Sequence, residues 1–340
     1  MKELAMSFAP TCNRDSWIRR QALMGKVRAF FESRGVLEVE TPVLSNAGAT
    51  DPQLDYFEVN GRPARFLMTS PEFHMKRLLA SGFGDIFQIT KSFRKDEFGS
   101  HHNNEFSMVE WYRVGMPQEK LMDEVEALVS EIVGSPVKAH RTRWIDAFKN
   151  YAGVDPFCED LDNFVRACES GGVPVPEGPE RMAREDWWDY LMVFLVEPAL
   201  AKNGPEFILD YPQSQAALAQ TFVGEDGHTW ARRFELFMDN VELCNGYTEL
   251  TDAAEQRRRF ESDLDIRRQM GKPLPPVDEN FLSALESGMP ACSGVALGLD
   301  RLFMLALGKN PQLAPVFDRI ILKDIHFDER GIMIDFVPKP

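Results

Sequence analysis

The sequence predicts an α+β fold in which an antiparallel β-sheet is flanked by helices. Residues 92–113 alternate apolar and polar side chains on both sides of a polar loop, which is typical of a strand, a loop and a returning strand. Residues 233–252 form a second pattern of this kind. Apolar residues recur at helical spacing over 16–33 and 116–133. Neighbouring strands joined by short loops pair in antiparallel fashion.

Composition narrows the class of protein. The 340 residues are 44% hydrophobic and 27% charged, which favours a folded protein with a large core. A formal net charge of -15 argues against a dominant nucleic-acid-binding surface, because phosphate binding needs clustered lysine and arginine. The five cysteines are scattered without a CxxC spacing, so we expect neither a disulfide framework nor a zinc site. Free cysteines of this kind are typical of a protein in the reducing cytoplasm. Residues 295–307 are interrupted by Asp300 and Arg301, and no membrane span is expected.

The first predicted helix covers residues 16–33 and ends near Gly35. The next run, 36–43, reads as a strand that contains Pro42. Proline cannot donate a ladder hydrogen bond, so this strand lies at an edge or an interface, or Pro42 simply terminates it.

A short strand over 66–70 precedes a helix that begins near Pro71. Ser70 can cap that helix, and proline suits its first position. Glu72 is then favoured by the helix dipole, and a first-turn carboxylate is also well placed at a cleft. The later segment 137–204 is mostly helical, with an aromatic-rich core stretch over 186–200.

Residues 92–113 contain many charged and polar side chains that could bind a ligand. Glu110 and Tyr112 lie on the returning strand, and a buried carboxylate is costly unless it is paired. The pattern therefore indicates a pocket for a cationic ligand, with an ordinary hairpin of solvated charges as the alternative.

Two glutamates in the second strand pair indicate a metal. Glu235 and Glu242 lie on strands joined by a turn at Asp239 and Asn240, and opposed carboxylates repel unless a cation lies between them. Mg²⁺ held with ATP phosphates suits one or two protein carboxylates. The alternative is two solvated glutamates at a sheet edge.

Three further residues follow in the same segment. Asn245 can hydrogen-bond a substrate carboxylate, and Gly246 permits close approach. Glu249 offers a second carboxylate for an ammonium group at the far end of a substrate.

Residues 293–305 read as a small-residue strand that turns into a helix at Leu299 and Asp300. Arg301 then lies in the first turn, where the helix dipole disfavours a cation. A polyphosphate beside that terminus would compensate it, and a plain surface arginine is the alternative.

Taken together, these segments resemble the class II aminoacyl-tRNA synthetases of the lysyl type, and most closely the elongation factor P (R)-β-lysine ligases. Residues 92–113 resemble motif 2, residues 16–43 motif 1 and residues 293–305 motif 3. The resemblance covers about residues 15–307 and implies a class II synthetase catalytic core.

The same resemblance implies the domain organisation. It places a catalytic domain at 15–324 with a helical insertion at about 137–204, between an N-terminal extension, 1–14, and a C-terminal tail, 325–340. Motif 1 forms a dimer interface in the family, so a homodimer is expected. The dozen residues before the core are too few for the barrel that grips the anticodon in lysyl-tRNA synthetases, and no anticodon recognition is expected.

The implied activity is ATP-dependent activation of (R)-β-lysine or lysine as an adenylate, with transfer to a lysine side chain of elongation factor P. One alternative is a free-standing ligase that acylates tRNA or a small amine. Another is a catalytically silent regulatory paralogue, which is disfavoured because Arg94, Arg301, Glu235 and Glu242 are all present.

The resemblance also assigns residues to roles, with Arg94 and Arg301 as the catalytic cations. It implies ATP binding by Arg94, Asp96, His102, Asn103, Phe106, Glu242, Leu243, Gly298 and Arg301. It implies amino-acid binding by Ser70, Glu72, Glu110, Tyr112, Asn245, Glu249 and Ala296, and Mg²⁺ binding by Glu235 and Glu242.

Two positions distinguish this chain from its relatives. Asp96 stands where the family's motif 2 usually has glutamate. Ala296 stands where lysyl-tRNA synthetases usually have glycine, and the β-lysine ligases have alanine. The added methyl group would displace an α-amino group and suit a β-amine.

Overall fold

A computed structural model describes residues 14–97, 102–239, 241–307, 326–327 and 333–334. The predicted N-terminal extension up to residue 13, most of the predicted C-terminal tail and Asn240 of the predicted turn lie outside the described residues. The chain divides into two compact units. The second unit is Val137–Glu249, and the described residues on either side of it form the first unit.

The elements follow in chain order. Before the second unit they are α1 (Arg14–Glu32), β1 (Leu37–Glu38), β2 (Leu44–Ser45), β3 (Glu58–Val59), β4 (Arg65–Leu67), α2 (Glu72–Ala80), β5 (Ile86–Phe93), β6 (Glu105–Val114) and α3 (Gln118–Val133). Within the second unit they are β7 (His140–Arg143), α4 (Trp144–Ala147), α5 (Asp162–Gly171), α6 (Arg184–Leu191), α7 (Glu197–Asn203), β8 (Glu206–Pro212), β9 (Thr221–Val223), β10 (Thr229–Met238) and β11 (Val241–Thr248). After it come α8 (Ala253–Gln269), α9 (Glu279–Glu286), β12 (Cys292–Gly298), α10 (Leu299–Ala306), β13 (His326–Phe327) and β14 (Met333–Ile334).

The sheet of the first unit is built around β6. Strand β6 pairs with β5 on one side and β12 on the other, both in antiparallel fashion, and β1 joins β5 in parallel. Helix α3 packs against α1, α10 and β12. The Phe31 ring stacks on Phe87 at 4.5 Å between centroids and lies 5.1 Å from Trp111, which ties α1 to both central strands. A three-stranded sheet in the order β2-β4-β3 lies in the same unit.

The second unit combines four paired strands with a helical layer. Strand β10 pairs with β11 and β8 in antiparallel fashion, and β7 pairs with β8 in parallel. Helical segments fill most of 137–204, including π-helical turns at Phe148–Ala152 and Met192–Val196. Trp144, Trp188 and Trp230 are buried together at the centre of this unit. Their burial fixes how α4 and α6 pack against β10.

The predicted α+β architecture is confirmed, with a largely antiparallel sheet flanked by helices. The strand predicted over 36–43 is wrong in extent, because β1 covers only Leu37–Glu38, where it pairs with β5. Pro71 occupies the cap position of α2 rather than its first turn. Within the aromatic-rich stretch 186–200, Phe194 is exposed instead of contributing to the core.

Candidate active site

The ends of β5 and β6 place a cation over an aromatic ring. The guanidinium carbon of Arg94 lies 5.1 Å from the centroid of the Phe106 ring, within the range of a cation–π contact. The Arg94 backbone N–H donates to Asn104 O at 2.9 Å, which closes the hairpin at this point. The Arg94 Nε atom is buried and has no hydrogen-bond partner among the described residues. An acceptor such as a phosphate oxygen would satisfy it.

Two acidic residues follow Arg94 and differ in position. Asp96 is exposed and has a positive φ of 65°, a conformation that Asp tolerates better than most residues. Glu97 Oε1 lies 3.5 Å from Arg94 Nη1. Glu97 therefore makes the ion pair with Arg94, whereas Asp96 lies at a turn that faces solvent.

A cation at the start of α10 lies beside a residue of the loop between β5 and β6. Arg301 Nη2 and His102 Nε2 lie 2.8 Å apart. Arg301 is in the first turn of α10, whose N-cap is Gly298. Two residues that the resemblance implies for ATP binding are therefore neighbours. Asn103 follows His102 in sequence, and its Oδ1 accepts the backbone N–H of Asn104 at 3.0 Å.

Strand β6 also carries a buried carboxylate. Glu110 is 2% exposed, and its two oxygens accept hydrogen bonds from the hydroxyls of Ser70 and Tyr112, each at 2.6 Å. Burial, reinforced by the charge of nearby Glu72, raises the pKa of Glu110 to about 7. Across the sheet, Glu110 is paired with Gln88 on β5 and with Ala296 on β12. Ala296 is thus a direct cross-strand neighbour of Glu110.

Glu72 joins the same cluster through Ser70 and a lysine. Ser70 Oγ accepts the Glu72 backbone N–H at 3.1 Å while it donates to Glu110. Lys76 Nζ lies 2.5 Å from Glu72 Oε1, and the lysine side chain has no exposed surface. The cluster therefore holds two carboxylates and one built-in ammonium group.

In the second unit, Glu235 is held by two donors. Tyr211 donates its hydroxyl to Glu235 Oε2 at 2.6 Å, and Arg233 Nη2 donates to Oε1 at 2.5 Å. Burial and the charge of Glu235 raise the pKa of Tyr211 well above its usual value. Burial alone would lower the pKa of Arg233, but the Glu235 carboxylate outweighs it and the net direction is upward.

The prediction that Glu235 and Glu242 lie opposite each other is wrong. Glu235 is paired with Asn245, and Glu242 is paired with Phe237, because the register shifts between Leu236 and Phe237. Such a bulge inserts one residue and re-aims the side chains beyond it. Both carboxylates nonetheless act on the same groups, since each raises the pKa of Tyr211 and of Cys244.

The remaining assigned residues of the second unit lie on β11 and at its end. Leu243 is buried beside them in the core. The Asn245 Oδ1 atom is buried and accepts no hydrogen bond from the described residues. Gly246 is required by packing, because a Cβ there would come 2.3 Å from the ring of Phe234. Glu249 is 1% exposed, and its backbone forms a bridge with Ala219.

The sequence matches one protein family over most of its length. Residues 11–311 match the family of tRNA synthetases class II (D, K and N). The chain belongs to this family. Class II synthetases of this family are ATP-dependent ligases that activate an amino acid, and they use ATP and Mg²⁺. Within the described part of the chain, no helix is long and apolar enough to cross a membrane.

Because the family uses Mg²⁺, the side chains of Glu235 and Glu242 are compared with the ligands that this ion prefers. Among the described residues, no cluster of three or more His, Cys, Asp or Glu side chains is arranged as a metal site. Mg²⁺ commonly takes one or two carboxylates and completes its shell with phosphate and water. Glu235 and Glu242 supply oxygen ligands of this kind, so the donor set fits.

Sequence reasoning missed three residues of this class II synthetase core. Lys76 lies four residues after Glu72 on a helix, and Arg233 lies two residues before Glu235 on a strand, so both spacings place the pair on one face. The sequence therefore contained a local signal for each. Tyr211 comes from a different strand, and its bond to Glu235 could not be read from spacing.

Proposed function

We propose that this chain activates (R)-β-lysine or lysine with ATP as an aminoacyl-adenylate and transfers it to a lysine side chain of elongation factor P. The proposal takes the ligase activity of the family and adds a substrate and an acceptor. The observation that carries it is the pairing of Ala296 with Glu110 across β12 and β6. The residue that carries the extra methyl group is thus the direct cross-strand partner of a buried carboxylate.

Glu110 and its neighbours support a substrate that carries amines. Glu72 and Glu110 share the single positive charge of Lys76, which forms its ion pair with Glu72 and also acts on Glu110. The hydrogen bonds described for the Glu110 oxygens come from two hydroxyl groups. An ammonium group of the substrate would supply the missing positive charge. Ser70, Tyr112 and Glu249 would complete the recognition of the diamine, and Asn245 would bind its carboxylate.

In the first half-reaction a carboxylate oxygen of the amino acid attacks the α-phosphorus of ATP. The bond from that phosphorus to the bridging oxygen breaks, and pyrophosphate leaves. Negative charge gathers on phosphate oxygens, so fixed cations are the main requirement. Arg94 would neutralise the α-phosphate, and Arg301 with His102 would hold the terminal phosphates. The loss of one such cation is expected to cost about a hundredfold to a thousandfold in rate.

Adenine recognition would use the ring of Phe106 together with Arg301, Asn103, Asp96, Leu243 and Gly298. Glu235 and Glu242 would hold Mg²⁺, which neutralises charge on the triphosphate when bound. Arg233 and Tyr211 orient Glu235 for this task.

In the second half-reaction the ε-amine of the acceptor lysine attacks the carbonyl carbon of the adenylate. The bond from that carbon to the phosphate oxygen breaks, AMP leaves and the amine nitrogen releases one proton. The product is an amide, so the modified side chain keeps a substrate amine in place of its own.

The experiment that tests the proposal offers both acceptors at once. The purified chain is incubated with ATP, Mg²⁺ and (R)-β-lysine in the presence of elongation factor P and deacylated tRNA. We expect elongation factor P to gain the mass of one lysyl group and the tRNA to stay unmodified. Acylated tRNA with unmodified protein would instead identify a tRNA ligase. The absence of both products and of amino-acid-dependent pyrophosphate exchange would identify a silent paralogue.

A further inference from the structure

An arginine outside the assigned residues joins three elements of the first unit. Arg20 on α1 donates Nη2 to Ser107 Oγ on β6 and to Asp300 Oδ1 on α10, each at 2.8 Å. Its guanidinium carbon also lies 5.5 Å from the ring centroid of Phe303, which is buried on α10. The Arg20 side chain is only 13% exposed, so these contacts are largely shielded from water.

Asp300 completes the junction. Its Oδ2 accepts the backbone N–H of Ser107 at 2.7 Å, while its Oδ1 binds Arg20. Strand β12 ends at Gly298, opposite Met108, so the N–H of Ser107 lies one residue beyond the ladder. The carboxylate therefore takes over as the hydrogen-bond acceptor at the point where the strand ends. Both of its oxygens are engaged, and each bond involves a charged partner, which makes it stronger than a neutral one.

The junction is adjacent to two groups of the nucleotide site. Phe106 directly precedes Ser107, and Arg301 directly follows Asp300. The bond between Ser107 and Asp300 therefore holds together the two backbone segments that carry the Phe106 ring and the Arg301 guanidinium. A group displaced by about 1 Å can lose two orders of magnitude in rate.

We propose that Arg20 is a positioning residue for ATP, which it serves by fixing the start of α10 and the start of β6 in one arrangement. The proposal rests on the proposed function for the identity of the nucleotide. Arg20 itself does not touch the ligand. Its guanidinium neutralises Asp300 and thereby keeps the carboxylate turned toward the Ser107 N–H. Without that cation the carboxylate gains from turning toward water, since it is 22% exposed already.

Arg28 offers a matched control on the same helix. It pairs with Glu38 at 3.0 Å, and both side chains are more than two-fifths exposed. Arg28→Met removes the same charge from α1 without touching α10 or β6. Arg20→Met removes the junction, and Arg20→Lys keeps the charge with fewer donors.

The test measures the dissociation constant of ATP by titration calorimetry and the KM values for ATP and for the amino acid in pyrophosphate exchange. For Arg20→Met we expect ATP binding to weaken about tenfold, since charge-assisted hydrogen bonds are lost, while the amino-acid KM changes less than about twofold. Arg20→Lys should recover part of the loss, and Arg28→Met should match the unmodified chain.

Two results would overturn the proposal. One is equal ATP affinity in Arg20→Met and Arg28→Met. The other is that Arg20→Met and Arg20→Lys weaken ATP and amino-acid binding equally and both lower the melting temperature. That result would indicate a merely structural role. If Arg20→Met does not fold, the comparison of Arg20→Lys with Arg28→Lys decides by the same criterion. A chain that binds ATP but shows no exchange contradicts the proposed function alone, because calorimetry still tests Arg20.

Discussion

The ammonium group of Lys76 lies 2.5 Å from a carboxylate oxygen of Glu72, one helical turn away, and the lysine side chain is fully buried. The lysine therefore compensates one of the two acidic groups near Ser70 permanently. The other, Glu110, is left to respond to pH and to an incoming amine. This division of charge underlies the first two predictions.

Replacement of Lys76 by methionine is expected to lower the free energy of unfolding by about 3–5 kcal/mol, because Glu72 is left as an uncompensated carboxylate in a mostly buried site. Urea denaturation measures the change. Lys120→Met provides the control, since its pair with Asp123 is exposed and should contribute little. Equal effects of the two replacements would contradict a structural role for the buried pair.

Glu110→Gln is expected to remove a pH dependence of stability. The pKa of Glu110 rises from 4.5 when it is fully solvated to about 7 in the folded protein, so the folded state holds the extra proton between these values. Stability of the unmodified chain should then fall as the pH rises from about 4.5 to about 7, by about 3 kcal/mol from this group. Denaturation curves of both proteins across this range give the difference, and a difference that does not vary with pH would contradict it.

Ala296→Gly is expected to shift preference toward lysine, because the methyl group paired with Glu110 is removed. The ratio of kcat/KM for (R)-β-lysine over that for lysine should fall by about tenfold, the usual effect of one methyl group in a pocket. Pyrophosphate exchange with each amino acid measures the ratio. An unchanged ratio would show that Ala296 does not select the isomer.

Arg233→Met is expected to destabilise the second unit by about 3–5 kcal/mol, since Glu235 loses its ion pair within a largely buried site. The adjacent Arg232 supplies the control, because it is exposed and its guanidinium lies over the ring of Phe222. Chemical denaturation of the two methionine variants should separate them clearly. Similar losses would mean that the pair with Glu235 adds nothing beyond surface charge.

Gly246→Ala is expected to be poorly tolerated, because its new Cβ would lie 2.3 Å from the fully buried ring of Phe234. Overpacking of this kind typically costs about 1–3 kcal/mol or more. Gly25→Ala on α1 has open space and should instead stabilise the chain by about 0.5–1 kcal/mol. Melting temperatures that move in opposite directions would confirm the contrast, and a neutral Gly246→Ala would contradict the packing argument.

Local patterns predicted much of the fold. Helix α1 was expected over 16–33 and occupies Arg14–Glu32, and the turn from strand to helix expected near Leu299 is where α10 begins. These elements are set by side chains a few residues apart, whose spacing is visible in the sequence. The strand predicted over 36–43 failed because pairing depends on a partner strand, not on the apolar run alone.

The candidate site was predicted less completely than the fold. The sequence resemblance implied that both Arg301 and His102 bind ATP, and the two side chains are in contact. It placed Glu242 opposite Glu235, whereas a bulge between Leu236 and Phe237 shifts the register. A bulge arises from the pairing of two strands, and the residue types at that point do not predict it.

The amino-acid sequence by itself determined the order of helices and strands, the family and the residue types that can bind a nucleotide, because these follow from local periodicity and motif spacing. Tertiary structure alone decided which charges meet. Tyr211 donates to Glu235 from a different strand, and Arg20 reaches Asp300 across 280 positions of the chain. The physical reason is that a buried charge is defined by its neighbours in space, and burial and pairing are set only when distant segments pack together.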